Sequence, residues 1–264
     1  MLKNAMKLSM SALILVLAVS GPAYSHELQQ QNVFAGAANG RVSAEVQKML
    51  ADHPSFSDVR ASVEDSIVTL QGSVASYQNK MRLHDIVKGL KGVEGVRNQV
   101  QVSTAAIADD QLVEALARKL RYDRVDQGNV FNNLTLDVHD GRVILGGNVR
   151  TDVDRDSAFA IVANAKGVTD VVDQVQVAPV SIFDDQLRLR LVRAIYGSPT
   201  LQRYALDPEA PIRIVVENGH ATLYGVVQNR MDRQIAYFQA RSVPGLFSVD
   251  DRLVVANSEA ALNR

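Results

Sequence analysis

HDGRVILGGNV, from His139 to Val149, is the stretch whose reading decides the fold. Asp140-Gly141 is a tight-hairpin pair, because both central residues of such a turn must tolerate φ > 0. Val143 and Leu145 then alternate with polar residues, as a strand with one buried face requires. The stretch recurs. EDSIVTLQGSV (Glu64 to Val74) aligns to it without gaps at an offset of 75, and ENGHATLYGVV (Glu217 to Val227) at an offset of 78. Leu70, Leu145 and Leu223 coincide, as do Gly72, Gly147 and Gly225.

The same offsets hold downstream, where KGVEGVRNQVQV, KGVTDVVDQVQV and PGLFSVDDRLVV superpose and align Gly92, Gly167 and Gly245. Collinear matches of this length mark one unit written three times. Upstream, Val42, Val46 and Leu50 form an i, i+4, i+8 stripe repeated by Leu112, Leu116 and Leu120 and by Leu187, Leu191 and Ile195, which predicts a helix. A strand follows (Val59, Ala61, Val63; Leu134, Leu136, Val138; Ile212, Ile214, Val216), then the hairpin. Ser76, Thr151 and Asn229 are N-cap residues for a second helix. Its inward stripe is Leu83, Val87 and Leu90, then Ala158, Val162 and Ala165, then Ala236, Ala240 and Val243. Gly92, Gly167 and Gly245 sit where a left-handed residue would end that helix. A third strand closes each unit.

The order α-β-β-α-β predicts an α+β chain of three tandem sandwiches, each a three-stranded sheet with two helices on one face. The boundaries read as 1–25 signal peptide, 26–39 linker, 40–105, 106–180 and 181–257 for the three units, and 258–264 as a tail. Units one and two differ by five residues between helix one and strand one, where a surface loop belongs. Units this small bury a marginal core, so packing between units or self-association is expected to add stability.

The 264 residues carry a net charge of −1 and no cysteine. That balance lacks the basic excess of a nucleic-acid binder. Lys3 and Lys7 precede an apolar run from about Met10 to Val19, followed by Gly21-Pro22 and Ala23-Tyr24-Ser25, the pattern of a secretory signal peptide cleaved after Ser25. The run is short for a membrane span. Without cysteine there is neither a lipid anchor at the cleavage site nor a disulfide, and the expectation is a soluble periplasmic protein.

DVRASVEDSIVTLQGSV with GVEGVRNQVQV in unit one, and DGRVILGGNVRTDVDRDSA with KGVTDVVDQVQV in unit two, resemble the BON domain, the bacterial OsmY and nodulation domain. Unit three departs most, with Ala221 where a strand valine is usual and PGLFSVDDRL in the last turn. The resemblance implies an envelope protein without catalytic activity, periplasmic or associated with the outer membrane. It further implies phospholipid binding, a role in osmotic and envelope stress and, in OsmY-like members, a chaperone role toward client proteins. The characteristic glycine of the family maps onto Gly72, Gly147 and Gly225, where the residue reading is steric.

DDQL occurs at 109–112 and 184–187, and the aspartates before each helix read as caps, with only Ser43 nearby in unit one. The five histidines occupy non-equivalent positions with no i, i+4 pair, so neither a metal nor a cofactor is expected. The GLKG at 89–92 closes a helix in one unit only. Arg118, Lys119, Arg121 and Tyr122 on helix one of unit two, and Arg188, Arg190, Arg193 and Tyr196 on that of unit three, form the candidate surface for anionic phospholipid. Units one and three each carry +1 and unit two −4, which disfavours unit two as the lipid-facing unit. A protein-binding module for secreted or outer-membrane clients is the alternative.

Overall fold

The computed structural model describes residues 22–122, 129–206 and 211–256. Residues 1–21 of the expected signal peptide 1–25, and the tail 258–264, lie outside the described residues.

Each unit builds the predicted order. In unit one these elements are α1 (Pro22–Asp52), β1 (Val59–Glu64), β2 (Ile67–Val74), α2 (Tyr77–Lys88), β3 (Gly95–Asn98) and β4 (Gln101–Val102). Unit two contains α3 (Asp109–Tyr122), β5 (Asn133–His139), β6 (Arg142–Val149), α4 (Asp152–Ala163) and β7 (Asp170–Val177). Unit three contains α5 (Ile182–Tyr196), α6 (Arg203–Leu206), β8 (Arg213–Glu217), β9 (His220–Val227), α7 (Arg230–Arg241) and β10 (Ser248–Val255). The first and second strands pair antiparallel and the third lies parallel to the second, so β2, β6 and β9 are central. In each unit both helical stripes and the inward strand residues meet in one core; in unit three Leu187, Leu191 and Ile195 meet Ile214, Val216, Leu223, Ala236 and Ala240.

Residues 26–39, expected as a linker, are helical: α1 is continuous from Pro22, and the expected cleavage point after Ser25 lies inside it. The hairpin pairs have φ of 49° and 61° at Asp65-Ser66, 51° and 75° at Asp140-Gly141, and 51° and 78° at Asn218-Gly219, as the primed turn demands. Ser76, Thr151 and Asn229 each accept a hydrogen bond from the third residue of the helix that follows.

Gly72 and Gly147 have φ of 118° and 101°, and a Cβ there would lie 2.1 Å from the Asp58 carbonyl and 2.0 Å from that of Asn133. The central strand runs hard against the first-strand backbone there, in unbroken register, and only glycine fits. Gly92, Gly167 and Gly245 are left-handed too, but three residues beyond each helix's capping residue. The second helices end earlier than their stripes suggest, and Leu90, Ala165 and Val243 belong to the intervening turn.

Candidate functional site

The first aspartate of each DDQL does more than begin a helix. Asp184 Oδ2 accepts the Asn218 N–H at 3.0 Å and Oδ1 that of Gly219 at 2.8 Å, while Ser181 caps α5. Asp109 accepts the Asp140 and Gly141 amides at 2.9 and 3.2 Å. Each clamps helix one to the tip of its own hairpin, where successive N–H groups in a left-handed turn converge on one acceptor. In unit one the clamp is Asn39, whose Oδ1 accepts the Ser66 N–H at 3.0 Å from within α1. Asn39 stands three residues before Val42, as Asp109 stands before Leu112 and Asp184 before Leu187. The capping role assigned to the first aspartate, and Ser43 as its neighbour in unit one, are therefore corrected. Dipole preference alone explains neither a mid-helix asparagine nor a capped helix bearing a buried carboxylate.

A second clamp repeats at Asn98, Asp173 and Asp251. Each side chain accepts the N–H two residues on, and each reaches helix two. Asp173 pairs with Arg155 and Asp251 with Arg233, both at 2.8 Å, whereas Asn98 donates to the Lys80 carbonyl. These positions share the 75 and 78 offsets, a signal present in the sequence but hidden by the Asn/Asp and Lys/Arg exchanges.

The arginines chosen as a lipid surface do not form one face. Arg188 is buried: its guanidinium donates to Asp185 at 2.7 Å and to the Val216 carbonyl at 2.5 Å. Tyr196 is turned inward, donating to the Ile212 carbonyl at 2.6 Å, and its burial pushes its pKa far up. Both are removed from the candidate surface because their polar atoms are spent on backbone carbonyls of the same unit. Arg190 and Arg193 are exposed, with Arg190 donating to the Pro244 carbonyl. On α3, Arg118 pairs with Glu114 one turn back, Lys119 and Tyr122 are exposed, and Arg121 lines a cleft of about 230 Å³ that also takes in Leu134, Pro211 and Arg213.

Beside Arg190 and Arg193, α5 exposes Ile182, Phe183 and Leu189, with Ile182 at 78%. Phe247 lies beside the Asn218-Gly219 tip with Phe183, since a Cβ on Gly219 would meet both rings. Unit two carries Ile107, Ala108, Glu114 and Ala115 at the positions of Ile182, Phe183, Leu189 and Arg190. Comparing equivalent positions between units, rather than seeking arginines, would have found this face.

Among the described residues no group of His, Cys, Asp and Glu is placed to hold a metal ion, and no helix is long and apolar enough to cross a membrane.

A sequence profile of the BON domain matches residues 39–104, 108–179 and 199–257. The chain belongs to the BON-domain family. Its third match begins after α5, so the BON signature of unit three resides in the hairpin, α7 and β10. No curated protein matches. Among solved structures, CdsD, a structural protein of the type III secretion system of Chlamydia trachomatis, is 16% identical, covers 83% of this chain and 93% of its own, and gives a TM-score of 0.24. The periplasmic domain of the inner-membrane protein PrgH from S. typhimurium is 8% identical, covers 80% of this chain and 100% of its own, and gives 0.18. Identities and scores this low transfer no role to this BON protein.

The BON units touch through two different surfaces. Tyr77 at the start of α2 packs on Phe159 of α4 and donates to the Val171 carbonyl at 3.4 Å, and its burial, with the nearby Asp170 carboxylate, raises its pKa. Units two and three meet where the turn at 129–131, just before β5, lies against β8. Val130 packs on the unit-three core, and Asp185 bridges Arg188 to Arg150 at 3.3 Å.

Proposed function

We propose that this BON protein works without catalysis in the periplasm, adsorbing on anionic phospholipid through the outer face of α5 and supporting the envelope under osmotic or envelope stress. One observation carries the reading: three exposed apolar side chains, Ile182, Phe183 and Leu189, share a helix face with Arg190 and Arg193. Such a face buries its apolar side chains at the headgroup boundary while arginine engages lipid phosphate. The charge pattern at residues 1–25 supports export, and the +1 of unit three against −4 of unit two supports the choice of unit.

Co-sedimentation of the mature chain with phosphatidylglycerol-containing vesicles over a salt series tests it. Binding should fall with rising salt. At about 1 kcal/mol per surface arginine, Arg190→Gln with Arg193→Gln should weaken it about thirtyfold. Ile182→Ser with Leu189→Ser should also weaken it, while Arg118→Gln with Lys119→Gln leaves it unchanged. Binding indifferent to both α5 pairs refutes the site; no binding at low salt refutes the function.

A further inference from the structure

The site in unit two that receives Tyr77 has a counterpart in unit three. Phe159, Asp170 and Val171 correspond, at the offset of 78, to Tyr237, Ser248 and Val249. With Arg241, Leu246 and Phe247 these line an open recess of about 320 Å³. So the chain itself shows what this face of a BON unit accepts: an aromatic side chain carried on the second helix of another BON unit.

Beside the recess, α7 carries that kind of side chain. Phe238 is 67% exposed, Phe247 at the rim is 75% exposed, and Met231, two turns back on the same face of α7, is also exposed. The counterparts of Phe238 are Ala160 and Asp85, and those of Phe247 are Thr169 and Glu94. Unit one, with no socket role, has exposed acids at both positions. Among the described residues the two most exposed aromatics, Phe238 and Phe247, lie together on this side of unit three, and such a cluster marks an interaction surface.

We propose that the recess docks a second copy of the chain, two third units pairing through their α7 faces with Phe238 of each entering the recess of the other. Plug and socket stand side by side on one helix, which makes the surface self-complementary, as a two-fold dimer requires. The pairing continues the second-helix contact already made between units one and two. Arg230 and Arg241 flank the face, and Arg241 lies over the Tyr237 ring at 5.8 Å. Like charges on the two copies oppose docking, so added salt should strengthen the dimer, the reverse of its effect on adsorption to anionic lipid.

Sedimentation velocity of the mature chain over a wide concentration series, at low and moderate salt, tests this. The expected result is a concentration-dependent dimer, tighter at moderate salt. Phe238→Ser should weaken it at least about a hundredfold, since two buried phenylalanines are lost per dimer, while Ile182→Ser with Leu189→Ser leaves it intact. A monomer throughout, or a dimer indifferent to Phe238→Ser, overturns the proposal. So does a monomer whose vesicle binding falls on Phe238→Ser, which assigns the face to lipid, or a dimer that appears only when residues 258–264 are deleted, which assigns the recess to the chain's own tail.

Discussion

Replacing Asp184 by alanine tests the hairpin clamp at its best-buried instance. The carboxylate is 1% exposed and accepts two backbone amides, of Asn218 and Gly219. A hydrogen bond to a charged group contributes about 1.5–3 kcal/mol, and a buried N–H left without a partner costs about 1–3 kcal/mol. Asn218 is exposed, so water replaces its lost acceptor, but Gly219 is buried and its amide is stranded. Removing a buried charge returns part of its desolvation cost. The net expectation is a loss of about 2–3 kcal/mol for Asp184→Ala. Asp184→Asn keeps one acceptor oxygen, the arrangement Asn39 already uses in unit one, and should lose about half as much. Asp109→Ala, at a half-buried site with a longer bond to the glycine amide, should fall between zero and the Asp184→Ala value. Urea denaturation followed by circular dichroism measures the loss, and amide hydrogen exchange at Gly219 reads the clamp locally. If Asp184→Ala stays within about 0.5 kcal/mol of the parent, the scale of a neutral surface change, or if Gly219 protection is unchanged, the clamp is not what holds the hairpin.

Gly147→Ala should cost at least about 4 kcal/mol and unfold unit two, because its Cβ would meet the Asn133 carbonyl at 2.0 Å from a left-handed backbone. Gly225→Ala, with 2.8 Å to the Pro211 carbonyl, should cost less, and equal losses on urea titration would show that the carbonyl clash is not the cause. Tyr196 is held neutral by burial, so its folded pKa lies above the ordinary value of 10.0. The unfolded chain ionises first, and stability present below pH 10 is lost as pH rises through it, by up to about 1.4 kcal/mol per unit. Tyr196→Phe should flatten that alkaline decline, and identical slopes would place the hydroxyl in water.

The repeat, the element order and the special backbone positions were legible from residues alone. Hairpin residues with φ > 0 and N-caps are local requirements, met by residues within a few positions of one another, and the offsets of 75 and 78 exposed each three times, together with the glycines of the central strands. The apolar stripes were legible for the same reason, since a helix or strand period places them on one face before any partner arrives.

What lay beyond one element was not. Arg188 and Arg193 look alike in sequence, yet one is spent on the Val216 carbonyl and the other faces solvent. Which way a long cation points depends on the strand packed beneath it. The DDQL aspartates gave the same lesson, since their partners lie more than thirty residues away across the unit. The sequence by itself determined three copies of one fold, because its rules act over neighbouring residues. Only the tertiary structure decided which side chains remain free to meet a membrane or another chain, because exposure is what remains after distant elements have packed.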